Sequence, residues 1–191
     1  MRLREYYWAF ESVIPIDMCD KIIEHGLQQG LKTGKVGGEG NESEVDIKIR
    51  DSEITWLHDK WILAQIYPYV HSANKEAKWN FQWNPPHQLQ CTKYGEGQFY
   101  NWHRDSLAKP YRNGEIRKLS LTVNLSDGYE GGDFLFDFQK KYGETNPRIC
   151  KKLRPKGSVV IFPSHIWHKV ETVTSGTRYS LVMWLMGRPW V

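Results

Sequence analysis

The chain has 191 residues, of which 40% are hydrophobic and 25% are charged, and its formal net charge is +4. This composition excludes an intrinsically disordered chain, which would carry fewer hydrophobic residues and more net charge. The length predicts one domain over residues 1–191, with supporting elements in residues 1–80 and the core in residues 81–191. Basic residues are spread along the chain, which disfavours a nucleic-acid partner.

Membrane and secreted proteins are disfavoured by local patterns. No apolar run reaches the roughly 20 residues of a membrane span, and the first residues lack the apolar stretch of a signal peptide. We therefore expect a soluble, cytoplasmic protein that has no membrane partner. The cysteines Cys19, Cys91 and Cys150 are far apart and form no Cys-x-x-Cys pair, so we expect reduced thiols.

Residues 1–80 are predicted to begin with a strand, a helix and a loop. The aromatic segment 6–10 has the composition of a strand, and an amphipathic helix follows Pro15 with Asp17 as its N-cap. Segment 31–44 is polar and rich in glycine, and it has no apolar periodicity. This pattern predicts a mobile loop that could serve as a lid.

The rest of the chain is predicted to add one helix and then only strands. Apolar residues recur at helical spacing over 56–73, which predicts a second helix ending near Asn74, although Pro68 should kink or shorten it. Beyond Trp79, short β-branched and aromatic runs alternate with Gly, Pro and Asn. The predicted strands are 88–94, 99–103, 119–125, 133–138, 158–162, 168–173 and 178–185. These elements predict an α+β fold that is mainly β: a double-stranded β-helix, or cupin-like jelly roll, with N-terminal supporting helices.

Three side chains form a candidate metal site. His103 and Asp105 are two residues apart, so in a strand both side chains would leave the same face. His168 begins a later predicted strand, and a jelly roll can bring distant strands together. Two imidazoles and one carboxylate occupy one face of an octahedral metal and leave the opposite positions open, which is the arrangement of non-haem iron(II) oxygenases.

Other interpretations of these residues remain open. A His-x-Asp pair is common by chance, and this pair could be a surface histidine beside a charged turn. Zinc also binds histidine and carboxylate, although a structural zinc site is closed and usually contains cysteine. His165 could replace His168 as a ligand, but it lies within the predicted turn 162–167 rather than at the start of a strand.

Arg178 is the candidate anion-binding residue. It lies ten residues after His168, beyond the predicted turn 174–177, so the two residues are expected on adjacent antiparallel strands. A buried arginine beside an open metal site needs an anion, and its planar fork matches a carboxylate bidentately. The alternative is a salt bridge to an aspartate or glutamate inside the barrel.

The chain resembles one known family in four segments that occur in the expected order. The prolyl 4-hydroxylase group of iron(II)/2-oxoglutarate dioxygenases is similar to this chain in QCTKYGEGQFYNWHRDS, RKLSLTVNLS, YEGGDFLF and PKGSVVIFPSHIWHKVETVTSGTRYSLVMW. The likeness runs from about residue 88 to residue 184. It implies that His103, Asp105 and His168 hold iron(II), and that Arg178 binds the C5 carboxylate of 2-oxoglutarate.

The resemblance also implies the lining of a co-substrate pocket. Tyr94 would join Arg178 in this pocket. The family often has a tyrosine near the end of the strand at which this chain has Asn124. Asn124 is therefore a candidate co-substrate residue, although one hydrogen bond to the co-substrate would differ. Thr122 and Ser180 are candidate replacements for that hydrogen bond, and both could instead be structural hydroxyls.

The reaction implied by the resemblance is hydroxylation of a substrate, with oxygen consumed and succinate and CO2 released. Peptidyl proline is the leading substrate, and ascorbate is an additional expected cofactor. Tyr100, Trp102 and Arg104 flank the predicted ligands and could line an entrance for a peptide, with aromatic faces against the proline ring. Packing inside the core is the alternative role of these aromatic residues. A small-molecule or nucleic-acid oxygenase and a non-catalytic metal-binding jelly roll are the alternative functions.

Overall fold

The helices and strands of the chain build two facing β-sheets. The computed structural model describes residues 3, 5–37, 43–86, 88–106, 109–140 and 145–190. The helices are α1 (Ile16–Gln28) and α2 (Lys60–Glu76). The strands are β1 (Trp8–Phe10), β2 (Lys32–Thr33), β3 (Val36–Gly37), β4 (Ser43–Glu44), β5 (Arg50–Asp51), β6 (Glu53–Leu57), β7 (Leu89–Tyr94), β8 (Phe99–His103), β9 (Ile116–Asn124), β10 (Glu130–Gly131), β11 (Phe134–Asp137), β12 (Pro147–Ile149), β13 (Val159–Pro163), β14 (Trp167–Val170), β15 (Val173–Ser175) and β16 (Arg178–Gly187).

The strand order mixes distant parts of the chain within each sheet. The larger sheet has seven strands in the order β1-β13-β9-β16-β7-β6-β2, and the smaller has five in the order β12-β11-β14-β8-β5. The strand pairs within both sheets are antiparallel. The prediction of a mainly β architecture with N-terminal helices is therefore confirmed, and residues far apart in sequence become neighbours.

Strand β9 shows how the larger sheet separates the two sides of the molecule. Its apolar residues Leu119, Leu121 and Val123 alternate with the polar residues Ser120 and Thr122, and all five are buried. Because successive side chains of a strand point to opposite faces, the two sets face opposite sides of the sheet. The apolar set belongs to a core cluster that includes residues of α1 and α2, so the helices cover this outer face. Each fully buried leucine there contributes about 1.5–3 kcal/mol to folding.

A second core cluster lies between the two sheets. It includes Phe134 and Phe136 of β11 and Phe162 of β13. The rings of Phe136 and Phe162 meet edge to face with their centroids 5.0 Å apart, which is a favoured aromatic geometry. This block of aromatic residues packs the two sheets together beside the polar interior.

Helix α1 begins two residues earlier than predicted. Pro15 is the N-cap and Ile16 is the first helical residue, so Asp17 lies inside the first turn. The predicted capping role of Asp17 is therefore wrong. Its carboxylate still lies at the end of the helix where the backbone dipole favours negative charge.

The second helix starts later than predicted. Glu53–Leu57 forms β6, because this segment pairs with β7 along its whole length. Helix α2 therefore begins at Lys60, and it continues through Pro68 to Glu76 rather than being shortened there. Neither α1 nor α2 combines the length and the apolar character that a helix needs to cross a membrane.

Segment 31–44 contains short strands where a loop was predicted. Strand β2 pairs with β6, and β3 pairs with β4. Residues 38–42, which include two of the glycines, lie outside the described residues. A lid function for this segment stays a prediction.

Candidate metal and co-substrate site

The two histidines of the predicted triad face each other on paired strands. Strand β8 pairs with β14, and His103 lies directly opposite His168. Asp105 lies beyond the end of β8, so the same-face argument for a strand does not explain its position. Instead, the Asp105 backbone N–H donates to the Ser164 carbonyl oxygen at 3.0 Å, which ties this segment to the end of β13.

The three side chains converge on a small volume. One Asp105 carboxylate oxygen lies 3.8 Å from His103 Nε2, and the other lies 3.5 Å from His168 Nε2. One potential ligand atom from each residue lies within 4.8 Å of the other two. A single ion between them could therefore contact all three groups.

Backbone carbonyls hold both imidazoles in a ligating orientation. His103 Nδ1 lies 2.7 Å from the Asn101 carbonyl oxygen, and His168 Nδ1 lies 2.9 Å from the Ile166 carbonyl oxygen. A carbonyl oxygen can only accept, so each Nδ1 carries the hydrogen and each Nε2 presents a lone pair. Metal-binding histidines are commonly oriented by such a hydrogen bond from the second ring nitrogen.

The electrostatic environment favours the protonation states that bind a cation. Burial, reinforced by the neighbouring His168, lowers the pKa of His103 to about 3. Burial raises the pKa of Asp105, but His168, His103 and Arg117 together with a hydrogen bond from Ser120 outweigh it, so its pKa lies below the usual value. At neutral pH the site therefore presents a neutral His103 imidazole beside a carboxylate.

The donor set fits iron(II). Within the described part of the chain, His103, Asp105 and His168 form the group of metal-binding residue types that come this close together. His168 rather than His165 belongs to this group. The set lacks the cysteine that is usual in a closed structural zinc site, and two imidazoles with one carboxylate match the open iron(II) triad.

Arg178 lies across the cavity from the triad and not on a strand adjacent to it. Strand β14 belongs to the smaller sheet and β16 to the larger one, so the prediction of adjacent strands for His168 and Arg178 is wrong. Both side chains nevertheless line the same cleft, because the two sheets face each other. Residues 171–177, which include β15, carry the chain from one sheet to the other.

The guanidinium of Arg178 is buried and is not neutralised by the described residues. Only 1% of the residue is exposed, and its Nη1 donates to Ser180 Oγ at 3.4 Å. Its guanidinium carbon lies 5.5 Å from the centre of the ring of Tyr94, its partner residue on the neighbouring strand β7. Among the ion pairs of the described residues none involves Arg178, so the alternative of a salt bridge inside the barrel finds no support.

The other predicted co-substrate residues divide into two groups. Tyr94, Thr122 and Ser180 line the cleft together with Arg178. Asn124 does not line it. The Asn124 Nδ2 donates to the backbone carbonyls of two other residues, and its Oδ1 accepts from the Tyr129 hydroxyl at 3.2 Å. The hydrogen-bonding groups of Asn124 are thus engaged inside the protein, and its predicted contact with the co-substrate is corrected.

Of the three predicted substrate residues, one lines the cleft and two do not. Tyr100 lines the cleft, and its ring stacks on His103 with 3.5 Å between centroids. Trp102 and Arg104 are not cleft residues: Trp102 lies near the ammonium groups of two lysines, and the Arg104 guanidinium stacks on Trp167 at 5.1 Å. A register shift in the pairing of β8 with β14 allows Tyr100 and His103 to face the cleft although they are three residues apart. Trp102 and Arg104 therefore lie outside the cleft lining, and contact of either with a substrate stays a prediction.

Several cleft residues were missed from the sequence. Arg50, Gln90 and Thr92 line the cleft from β5 and β7, and Trp184 lines it from β16. The Trp184 Nε1 is a buried donor without a hydrogen-bond partner among the described residues. Alternation along β16 could have identified Trp184, since it has the same parity as Arg178. No local pattern marks Arg50, which reaches the cleft through pairing of β5 with β8.

A barrel of two facing antiparallel sheets that carries such a triad defines the class of non-haem iron(II) oxygenase sites. The family model described as the 2OG-Fe(II) oxygenase superfamily matches residues 89–186. The chain belongs to this superfamily. The matched region contains the whole triad and Arg178, and the resemblance seen in the sequence is confirmed.

Relatives in bacteria carry a more specific name. The chain is 36% identical over 102 residues to a PKHD-type hydroxylase of Synechococcus sp. (strain CC9605), an alignment that covers 52% of this chain and 41% of that protein. It is 35% identical over 139 residues to a PKHD-type hydroxylase of Shewanella oneidensis, which covers 71% of this chain and 57% of that protein. The alignments thus span about two fifths to three fifths of the length of these relatives.

Solved structures confirm the jelly-roll fold. A viral collagen prolyl hydroxylase from Paramecium bursaria Chlorella virus 1, in complex with 2OG, superposes with a TM-score of 0.69 at 20% identity, covering 96% of this chain and 97% of that one. A prolyl-4-hydroxylase from Pseudomonas putida superposes with a TM-score of 0.71 at 18% identity, covering 95% and 93%. At these identities the likeness establishes the fold.

Proposed function

We propose that the chain is an iron(II)- and 2-oxoglutarate-dependent dioxygenase domain that hydroxylates proline in a peptide or protein. The observation that carries this proposal is the convergence of His103, Asp105, His168 and the buried Arg178 on one cleft. Membership of the superfamily supports the iron and 2-oxoglutarate chemistry. The PKHD-type hydroxylases and the prolyl hydroxylase structures support hydroxylation of proline.

His103, Asp105 and His168 would hold iron(II). Bound iron(II) would supply the redox chemistry that couples decarboxylation of 2-oxoglutarate to hydroxylation of the substrate. The hydrogen bonds from both Nδ1 atoms to backbone carbonyls keep the Nε2 lone pairs directed inward before the ion arrives. Tyr100 stacks on His103 and limits rotation of that imidazole. The protein therefore arranges its ligands in advance.

Arg178 would bind the C5 carboxylate of 2-oxoglutarate. A guanidinium pairs with a carboxylate through two parallel hydrogen bonds, and burial strengthens such a pair because water does not screen it. Ser180 orients Arg178, and Tyr94 packs beside it. Thr122 offers a hydroxyl in the same cleft. We assign these three residues to the co-substrate pocket, in which Asn124 takes no part.

The aromatic residues of the cleft suit a proline ring. Tyr100 is next to the proposed iron ligands, and Trp184 lines the cleft from the other sheet. The Trp56 ring lies 6.0 Å from the Trp184 ring and extends this aromatic surface. A buried donor left unpaired costs about 1–3 kcal/mol, so Trp184 Nε1 is suited to a substrate carbonyl. A prolyl hydroxylase from Trichoplax adhaerens with a TM-score of 0.67 was solved with a peptide fragment of hypoxia inducible factor, which supports a peptide substrate.

Anaerobic addition of iron(II) and 2-oxoglutarate tests the first half of the proposal. We expect a visible charge-transfer band of the chelate, which should be absent for His168→Ala and retained for the surface variant Arg148→Gln. Lack of the band in the unchanged protein would overturn the proposed function. A requirement for ascorbate and a cytoplasmic location stay predictions.

Turnover in air tests the choice of substrate. Proline-containing peptides should stimulate succinate formation and give a product heavier by one oxygen atom. If only a free small molecule or a modified base stimulates succinate formation, the assignment of a peptidyl proline fails while the dioxygenase chemistry stands.

A further inference from the structure

A second buried arginine lies in the cleft, and the proposed chemistry does not use it. Arg50 is only 4% exposed, and it lines the cleft together with Arg178 and the triad. Its Nε donates to Ser52 Oγ at 2.7 Å, its Nη2 to Gln90 Oε1 at 2.7 Å, and its Nη1 to the Lys35 carbonyl oxygen at 3.3 Å. All three acceptors are uncharged, so they orient the guanidinium without neutralising it.

No carboxylate of the described residues forms an ion pair with Arg50. The adjacent Asp51 belongs to the other face of β5, and it accepts a hydrogen bond from Gln98 Nε2 at 2.8 Å. Removal of a guanidinium from water is costly unless an anion compensates for it. Within the described ranges, three of the five N–H groups of Arg50 have an acceptor. The other two, one on each Nη nitrogen, have no acceptor there and could donate to a ligand.

Arg50 is close to the reacting centre. Its guanidinium carbon lies 4.7 Å from the centre of the Tyr100 ring, which in turn stacks at 3.5 Å on the proposed iron ligand His103. Arg50 and the proposed ligand His103 thus contact the same aromatic ring, so a group bound to Arg50 would lie near the triad. This distance suits a group of the substrate close to the carbon that is hydroxylated.

The charges of the cleft point to an anion as that group. Arg50 and Arg178 contribute two positive charges to the lining, and Asp105 contributes one negative charge. Iron(II) and the 2-oxoglutarate dianion would add charges that cancel each other. One positive charge is thus left over after both have bound, and Arg178 is the residue already assigned to the co-substrate.

We propose that Arg50 is a substrate-binding residue that takes a carboxylate, so that the preferred substrate is a proline with a free carboxylate next to it. A C-terminal proline and a proline beside an aspartate or glutamate both meet this description. The inference rests on the proposed function for the identity of the target residue. Ser52 and Gln90 act as positioning residues that hold the guanidinium, and Trp184 Nε1 provides a further donor in the same cleft.

The test compares two peptides that differ only in charge. A proline-terminated peptide with a free carboxylate and the same peptide with a C-terminal amide are titrated into the protein with iron(II) and 2-oxoglutarate, without oxygen, and binding is measured by calorimetry. A hydrogen bond to a charged group corresponds to roughly tenfold or more in affinity, so we expect the carboxylate form to bind at least about tenfold more tightly.

Two variants assign the difference to Arg50. Arg50→Gln removes the charge and should make the two peptides equal. Gln90→Glu leaves Arg50 in place but puts a carboxylate at the position of an acceptor 2.7 Å from Nη2, and it should also remove the preference. Arg148→Gln, which removes an equal charge from the exposed strand β12, should keep the full preference.

Each outcome separates the two proposals. Equal binding of the two peptides to the unchanged protein, in the presence of a normal iron(II)–2-oxoglutarate band, would overturn the inference and leave the proposed function standing. A preference that survives in both Arg50→Gln and Gln90→Glu would overturn it as well. Absence of that band in the unchanged protein would reject both proposals together.

Discussion

Replacement of Arg178 by glutamine should abolish most of the affinity for 2-oxoglutarate. The guanidinium is 1% exposed and lacks a charged partner among the described residues, so the co-substrate carboxylate would meet it in a site without competing water. Two charge-assisted hydrogen bonds at about 1.5 kcal/mol each amount to about 3 kcal/mol, or roughly a 150-fold increase in Kd.

Thermal unfolding with and without 2-oxoglutarate measures this loss. At a concentration of about 100 times its Kd, a ligand stabilises the folded protein by about 2.7 kcal/mol. In a domain of this length each kcal/mol shifts the Tm by about 2–4 °C, so the unchanged protein should gain about 5–10 °C. At the same concentration the variant should gain about 0.3 kcal/mol, which is about 1 °C.

Two further proteins act as controls for the Arg178 experiment. Arg148→Gln should keep the whole shift, because Arg148 is exposed on β12. Arg178→Lys keeps the charge but loses the planar fork, so its shift should be intermediate. If Arg178→Gln retained the 2-oxoglutarate shift of the unchanged protein, the assignment of Arg178 to the co-substrate would be refuted.

Three further predictions concern the metal, pH and the backbone. His168→Ala should remove iron(II) binding measured by anaerobic calorimetry, whereas His71→Ala on the exposed face of α2 should not. Because burial lowers the pKa of His103 to about 3 from its ordinary 6.5, the unfolded chain takes up a proton at a higher pH than the folded chain. The metal-free protein should therefore lose up to about 5 kcal/mol of stability as the pH falls through this window, and His103→Gln should flatten the slope in urea unfolding; parallel slopes would contradict the assignment. Gly157→Ala should destabilise by about 3 kcal/mol or more in urea unfolding, because φ is +80° and a Cβ there would lie 2.2 Å from a backbone carbonyl oxygen. Gly30→Ala, with φ of +79° and open space around it, should cost only about 1 kcal/mol, and equal losses would refute this explanation.

The residues that could be identified before the fold was known are those in compact motifs. His103 and Asp105 are close in sequence, and His168 and Arg178 lie around one recognisable turn. Such motifs can be recognised in a sequence because the chemistry needs particular residue types at short spacing. The mainly β character could also be predicted, since β-branched and aromatic runs between turn residues favour strands irrespective of which strands they pair with.

The orientation of individual side chains, by contrast, could not be predicted from the sequence. Trp102 and Arg104 seemed equivalent to Tyr100, but a register shift between β8 and β14 turns them away from the cleft. Asn124 occupies a strand end that suggested a co-substrate contact, yet its amide is engaged inside the protein. Both positions could not be read from the sequence for the same reason, because register and side-chain pairing depend on partners that are distant in the chain.

The amino-acid sequence was sufficient for the class of chemistry and for the residues proposed to bind iron and 2-oxoglutarate, because these are carried by local patterns. The completed barrel was needed to find Arg50 and Trp184 in the cleft, and to place His168 and Arg178 on opposite sheets. The physical reason is that packing of two sheets is a long-range event: burial and unneutralised charge arise only when segments from both ends of the chain enclose a common space.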